Sequence, residues 1–212
     1  YLLESPVLTN AQFKKLSDTF DKEIKTIDLT YEINEKNNLK NQLDRIRSEA
    51  EEFVRGGAKH LVISDENVSK NRISIPVILA QGAVQSHLTN LGIRKFVSIH
   101  VKSSECLDTH YFAVLIGAGA TTVNPYLTID SIYQRFEKGL FGKLSFDECV
   151  QRYVKAINDG LLKIMSKMGI SVISSYRGGL NFQSLGLSRS LVSEYFPGLE
   201  SRISGIGILG IE

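Results

Sequence analysis

The sequence predicts an α/β fold of alternating strand–helix units, either an open parallel sheet or a (βα) barrel. Three observations carry this. Long stretches repeat apolar residues at helical spacing, and short β-branched runs lie between them. The strand–helix order recurs at least four times, which calls for parallel strands joined by crossover helices. One run, His60–Ser64, is apolar without alternation, as expected of a strand covered on both faces.

In chain order, the first predicted strand is Thr26–Ile33. A helix follows over Asn37–Arg55, with Leu39, Leu43, Ile46, Ala50, Phe53 and Val54 on one stripe, Glu51 and Arg55 paired on the wet face, and Gly56-Gly57 as the stop. After strand His60–Ser64, a second helix runs from Pro76 to Asn90, with Leu79, Ala83 and Leu88 inward and Gly92 beyond its end. Strands Phe96–Val101 and Thr121–Val123 come next. Residues Asn124–Gly142 read as a short helix plus an exposed loop. The longest helix spans Phe146–Met168, with Phe146, Val150, Val154, Ile157, Leu161, Ile164 and Met168 inward. Ser145 and Glu148 form a capping box at its start and Gly169 ends it. A strand is expected at Ile170–Ile173, then only short helices beyond Gly178 and a Gly-rich tail over Ser204–Ile211.

Composition narrows the class. Among 212 residues, Lys+Arg 25 against Asp+Glu 23 leaves +2, no excess to attract nucleic acid or an acidic membrane. Basic residues are dispersed without aromatic interleaving, so no nucleic-acid partner is expected. The longest apolar run, Phe112–Ile116, is far too short for a membrane span. Two cysteines, Cys106 and Cys149, cannot build a disulfide framework or a four-thiolate site and read as reduced intracellular thiols. The opening Tyr1-Leu-Leu-Glu-Ser-Pro6 has no initiator Met and no targeting signal, which points to a stretch of a longer polypeptide.

The search for chemistry gives isolated candidates. Gly205-x-Gly207-x-x-Gly210 spells a dinucleotide fingerprint, but only two residues follow it, so it reads as a flexible segment. Gly117-Ala-Gly119-Ala120 precedes a strand, whereas a phosphate cradle precedes a helix. His60, His87, His100 and His110 show no metal-ligand spacing. Cys149 sits on an amphipathic helix as a packing residue. Asp65 closes a strand at the end where α/β folds place catalytic groups, and Arg177 follows a predicted strand as an anion binder or a brace.

Several segments together resemble the central domain of the large (alpha) chain of glutamate synthase. They are Ser5-Pro-Val-Leu-Thr-Asn10, Glu49-Ala-Glu-Glu52 with Gly57-Ala58, Leu61-Val-Ile-Ser-Asp65, and Ile75-Pro76 through Val84. They continue in Phe112–Ala120 leading to Val123-Asn-Pro-Tyr-Leu127, Lys155 through Ser171, Ser175-Tyr-Arg-Gly178, and Ser201-Arg-Ile-x-Gly205-Ile-Gly207. The match is collinear over nearly the whole chain. Gly179, Tyr111 beside His110, and Lys102-Ser-Ser-Glu105 depart from the family pattern at positions expected to lie in loops.

The resemblance implies a degenerate barrel-like domain over 1–212 within a multidomain oxidoreductase of ammonia assimilation and glutamate biosynthesis. The parent would make two glutamates from glutamine and 2-oxoglutarate. A glutamine amidotransferase domain and an FMN-binding domain with a 3Fe-4S iron-sulfur cluster would flank this one, which would support ammonia channelling. Ferredoxin or an NAD(P)H-dependent small subunit would supply electrons. The resemblance puts no catalytic, cofactor-binding or metal residue in this stretch and implies that it is inactive alone. The Lys/Asn/Ile-rich style leans toward a plastid, ferredoxin-dependent relative, with the bacterial cytoplasm as the other setting. Two other classes compete: an independent α/β-barrel enzyme using Asp65, Glu105 and Arg177, and a small-molecule module holding its ligand at Gly117–Thr122.

Overall fold

The computed structural model describes residues 3–32 and 38–212. Four parallel strands form the main sheet: β1 (Ile24–Asp28), β3 (His60–Ser64), β5 (Ser98–Lys102) and β6 (Thr122–Asn124). Their order, β1-β3-β5-β6, follows the sequence without reversal. That is the order of a barrel segment, since a doubly wound sheet reverses direction midway. Beside β6 the chain start adds one parallel bridge, Val7 to Val123, and β1 has no strand on its outer edge among the described residues. Among the described residues the sheet therefore stays open. Two small pairs complete the strands: β2 (Thr30–Glu32) antiparallel to β4 (Arg72–Ser74), and β7 (Gln183–Leu187) parallel to β8 (Glu200–Ile206).

The helices are α1 (Asn10–Thr19), α2 (Leu39–Arg55), α3 (Val77–Asn90), α4 (Thr109–Gly117), α5 (Tyr126–Glu137), α6 (Phe146–Lys167), α7 (Ile173–Tyr176), α8 (Arg189–Tyr195) and α9 (Ile208–Ile211), with a 3-10 turn at Arg94–Phe96. Strand alternation divides the sheet into two faces. Ile27, Leu61, Ile63, Ile99, Val101 and Val123 join the main core with the inward stripes of α2, α3 and α4. Val62 points the other way and packs with Leu8, Phe13 and Leu16, so α1 lies over the opposite face.

The predicted helices hold closely. Asn38 caps α2, Glu51 meets Arg55 at 2.7 Å, and the Ser145–Glu148 capping box opens α6. Gly169 adopts φ +70, a conformation that L side chains rarely take, and stops the long helix there. Met168 is the exception on the stripe. It caps α6 and is 43% exposed, while Met165, one turn back, is buried in its place.

Several strand expectations need correction. Thr26–Ile33 is two strands, because the Asp28 carboxylate accepts from the Thr30 N–H and hydroxyl, each at 2.8 Å, and folds the chain into a turn. Ile33 and Asn37 lie outside the described residues. The strand expected at Phe96–Val101 starts at Ser98, after the 3-10 turn, and that at Thr121–Val123 is displaced by one residue. Ile170–Ile173 is no strand: Ile170 N–H bonds to the Met165 carbonyl at 2.9 Å, closing the end of α6, and Ile173 opens α7. Beyond Gly178 the chain holds β7 and β8 as well as short helices. The Gly-rich tail is the end of β8 plus α9, where Ser188 N–H bonds to the Ile206 carbonyl. No predicted element corresponds to α1.

Candidate functional site

Asp65 is fully buried just past β3. Its carboxylate accepts the Ser104 N–H at 2.8 Å, the Ser104 hydroxyl at 2.8 Å and the Ser103 hydroxyl at 3.0 Å. It thus clamps the loop after β5 against the end of β3. Glu105, on that same loop, accepts from the Val77 N–H in the first turn of α3, at 3.3 Å, and from the Tyr111 hydroxyl. There it answers the positive end of the helix. Burial raises its pKa, opposed by these hydrogen bonds. Both carboxylates are engaged in holding the fold.

Arg177 is elsewhere. It lines a hollow with Thr121 and Thr122, at the N-terminal end of β6, whereas Asp65 and Glu105 lie beyond the C-terminal ends of β3 and β5. The structure does not bring the three together. The Gly117–Thr122 turn is likewise filled from within: a Cβ at Gly119 would fall 2.2 Å from Gln85 Oε1, and Arg94 donates to the Gly119 carbonyl at 2.8 Å. In the Gly205-x-Gly207-x-x-Gly210 run, a Cβ at Gly205 would fall 2.1 Å from the Gly186 carbonyl oxygen. That glycine serves the close approach of β8 to β7.

The histidines divide. His87 meets Glu51 at 3.0 Å on the surface of α3. His60 Nδ1 contacts His100 Nε2 at 2.9 Å, and His100 Nδ1 contacts Thr122 Oγ1 at 2.8 Å, forming a chain across three strands. Burial holds His60 below its ordinary pKa and drives His100 down to about 3, so both are neutral near pH 7. Among the described residues, no group of three His, Cys, Asp or Glu side chains could hold a metal ion. Cys106 and Cys149 are free and buried, and burial pushes the Cys106 thiol up.

Sequence reading missed the polar lining of the α1-covered face. Register aligns Asp28, Ser64, Lys102 and Asn124 in one row across the four strands, at their C-terminal ends. Ser64, Lys102 and Asn124 line a hollow of about 490 Å³ together with Asn10, Phe13 and Tyr126. Lys102 Nζ pairs with Glu66 at 2.5 Å and lies near the Phe13 and Tyr126 rings. The available signal was the alternation Ser98-Ile-His-Val-Lys102, which marks a strand with one polar face. The Ser64 hydroxyl accepts from the Glu66 N–H, and no base stands within hydrogen-bond reach to activate it among the described residues.

A family model described as "Glutamate synthase central domain" matches residues 1–188. The chain is 54% identical over 211 residues to the glutamate synthase [NADPH] large chain of Azospirillum brasilense, covering 99% of this chain and 14% of that one. It is 37% identical to the glutamate synthase [NADPH] large chain of Bacillus subtilis, covering 97% and 13%. It is 36% identical to the ferredoxin-dependent glutamate synthase of Pyropia yezoensis, covering 98% and 14%. The chain thus spans about one-seventh of the length of these curated relatives.

Proposed function

The chain belongs to the glutamate synthase central-domain family, and from that membership we propose that residues 1–212 form one non-catalytic domain of a large chain. In this reading it joins the amidotransferase domain to the FMN and 3Fe-4S synthase domain and helps carry ammonia between them. The parent enzyme converts glutamine and 2-oxoglutarate into two glutamates. No residue of this stretch touches reacting atoms.

One observation carries the non-catalytic reading. At the C-terminal strand ends, where a barrel would receive substrate, the charged groups beside the hollow are already engaged: Asp65 by Ser103 and Ser104, Glu105 by the Val77 N–H, and Lys102 by Glu66, while α1 packs the interior face through Phe13 and Leu16 on Val62. The donor set also does not fit the parent's cofactors. A cysteine-held iron–sulfur cluster needs several thiolates, and the two cysteines here are buried on different elements, one in the loop before α4 and one on α6. The Gly117–Ala120 turn ends a helix and is filled by side chains, so it does not fit a flavin phosphate.

For the electron donor, 54% identity to an NADPH-type chain against 36% to a ferredoxin-dependent one favours the NADPH type. That reading favours the bacterial cytoplasm over the plastid stroma as the setting. The non-catalytic assignment is tested in the full large chain with Lys102→Met, which removes the charged group at the strand ends while keeping its apolar stem. The kcat for glutamate formation should stay within about twofold. A hundredfold fall with unchanged thermal stability would show that the strand ends do chemistry.

A further inference from the structure

The second hollow, of about 620 Å³, opens at the N-terminal end of the parallel strands between α6, α7 and the chain start. Its volume suits a small organic molecule. Leu161, Met165 and Ile173 give it apolar walls, and Leu162, 62% exposed on α6, extends them outward. Thr122 also lines it, with its hydroxyl held by the neutral His100 behind.

Ser5, Thr121, Asn158 and Ser171 add polar groups to the lining, and beside the apolar wall the fold sets one cation. The half-buried Arg177 side chain has no ion pair and no hydrogen bond among the described residues, and Glu4, the acidic residue of the lining, is exposed and does not pair with it. Nearby Arg94 adds positive potential without competing for a ligand. Its guanidinium is bound to Gln85, to the Val97 carbonyl at 2.5 Å and to the Gly119 carbonyl at 2.8 Å. Burial first, and then the charge of Arg177, lower the Arg94 pKa to about 10.

We propose that this hollow binds a small carboxylate with an apolar body, its carboxylate paired with the Arg177 guanidinium and its body against Leu161, Met165 and Ile173. A planar guanidinium matches a carboxylate through two parallel hydrogen bonds. A phosphate, with no apolar body, would leave the Leu161, Met165 and Ile173 wall uncovered. The proposal goes beyond the structural role argued above and does not depend on it.

The test uses the full large chain, with octanoate as the probe and octanol and inorganic phosphate as comparators, read by hydrogen exchange localised to residues 158–178. Octanoate should protect this segment, octanol should bind at least tenfold more weakly, and phosphate should give no protection. Arg177→Met should weaken octanoate at least tenfold at unchanged melting temperature, and Arg177→Lys should retain part of the affinity. Equal protection by octanol, equal protection by phosphate, or undiminished binding to Arg177→Met overturns the proposal. So does a segment already protected without octanoate and indifferent to it, the mark of a groove filled by another part of the large chain.

Discussion

Asp65 and Ser104 are joined twice, by the backbone N–H and the hydroxyl of Ser104, each 2.8 Å from the same carboxylate oxygen. Residues far apart in sequence thereby fasten the end of β3 to the loop that leaves β5. Asp65→Ala would leave the Ser103 and Ser104 donors unpaired in a buried setting. At roughly 1–3 kcal/mol for a buried polar group left unsatisfied, the loss should be about 2–4 kcal/mol in denaturant unfolding. Ser103→Ala removes one donor to Asp65 and the acceptor of the Glu105 N–H while keeping both Ser104 bonds, and should cost about 1–2 kcal/mol. An Asp65→Ala chain of unchanged stability would return the carboxylate to the list of functional candidates.

The His60–His100–Thr122 chain makes stability depend on pH. Both histidines have folded pKa values below the unfolded value, His100 at about 3, so the unfolded chain binds more protons as the medium acidifies. Their contribution is therefore present above pH 6.5 and is lost as pH falls from there toward 3. The slope owed to His100 approaches about 1.4 kcal/mol per pH unit. His100→Gln should flatten the stability profile between pH 6.5 and 5, a window above the titration of ordinary carboxylates. Parallel profiles for the two proteins would remove His100 as the cause.

Cys106 and Cys149 should react slowly with a thiol reagent in the native chain and yield two thiols per chain after denaturation without reductant. Both are buried, and burial disfavours the reactive thiolate of Cys106. Rapid native labelling of either would show that its surroundings open readily.

The legible parts of the fold are those whose apolar pattern has one clear period. The α2 and α6 stripes and the unalternating His60–Ser64 have it. Helix α1 lacks it, because Phe13 and Leu16 are its two buried residues and the rest, Ala11 apart, is polar. β7 is interrupted by Gly186 at φ +79, and β8 reads Glu-Ser-Arg-Ile-Ser-Gly-Ile, with little to mark a strand. For the site, position at strand ends correctly separated Asp65 from the surface carboxylates but could not show that its acceptors were already occupied. The row Asp28, Ser64, Lys102, Asn124 exists only through parallel register, which no local pattern encodes. Arg177 reads equally well as brace or anion binder until its lack of a partner is visible.

The long helix offers the sharpest test of packing. Ile157 is 4% exposed on the α6 stripe, beside Leu161 and in the core that holds Phe112 and Leu115 of α4. Ile157→Asp removes apolar burial of roughly 2–3 kcal/mol and adds the desolvation of a carboxylate that meets no partner there. Against a total stability of about 5–15 kcal/mol, the domain should unfold or nearly so. Two positions earlier, Lys155 is exposed and pairs with Asp159 at 2.5 Å across one turn, a surface contact. Lys155→Ala should move stability by about half a kcal/mol. Circular dichroism melts of the two variants read the contrast directly. An Ile157→Asp chain that melts with the parent would mean that α6 does not bury this stripe.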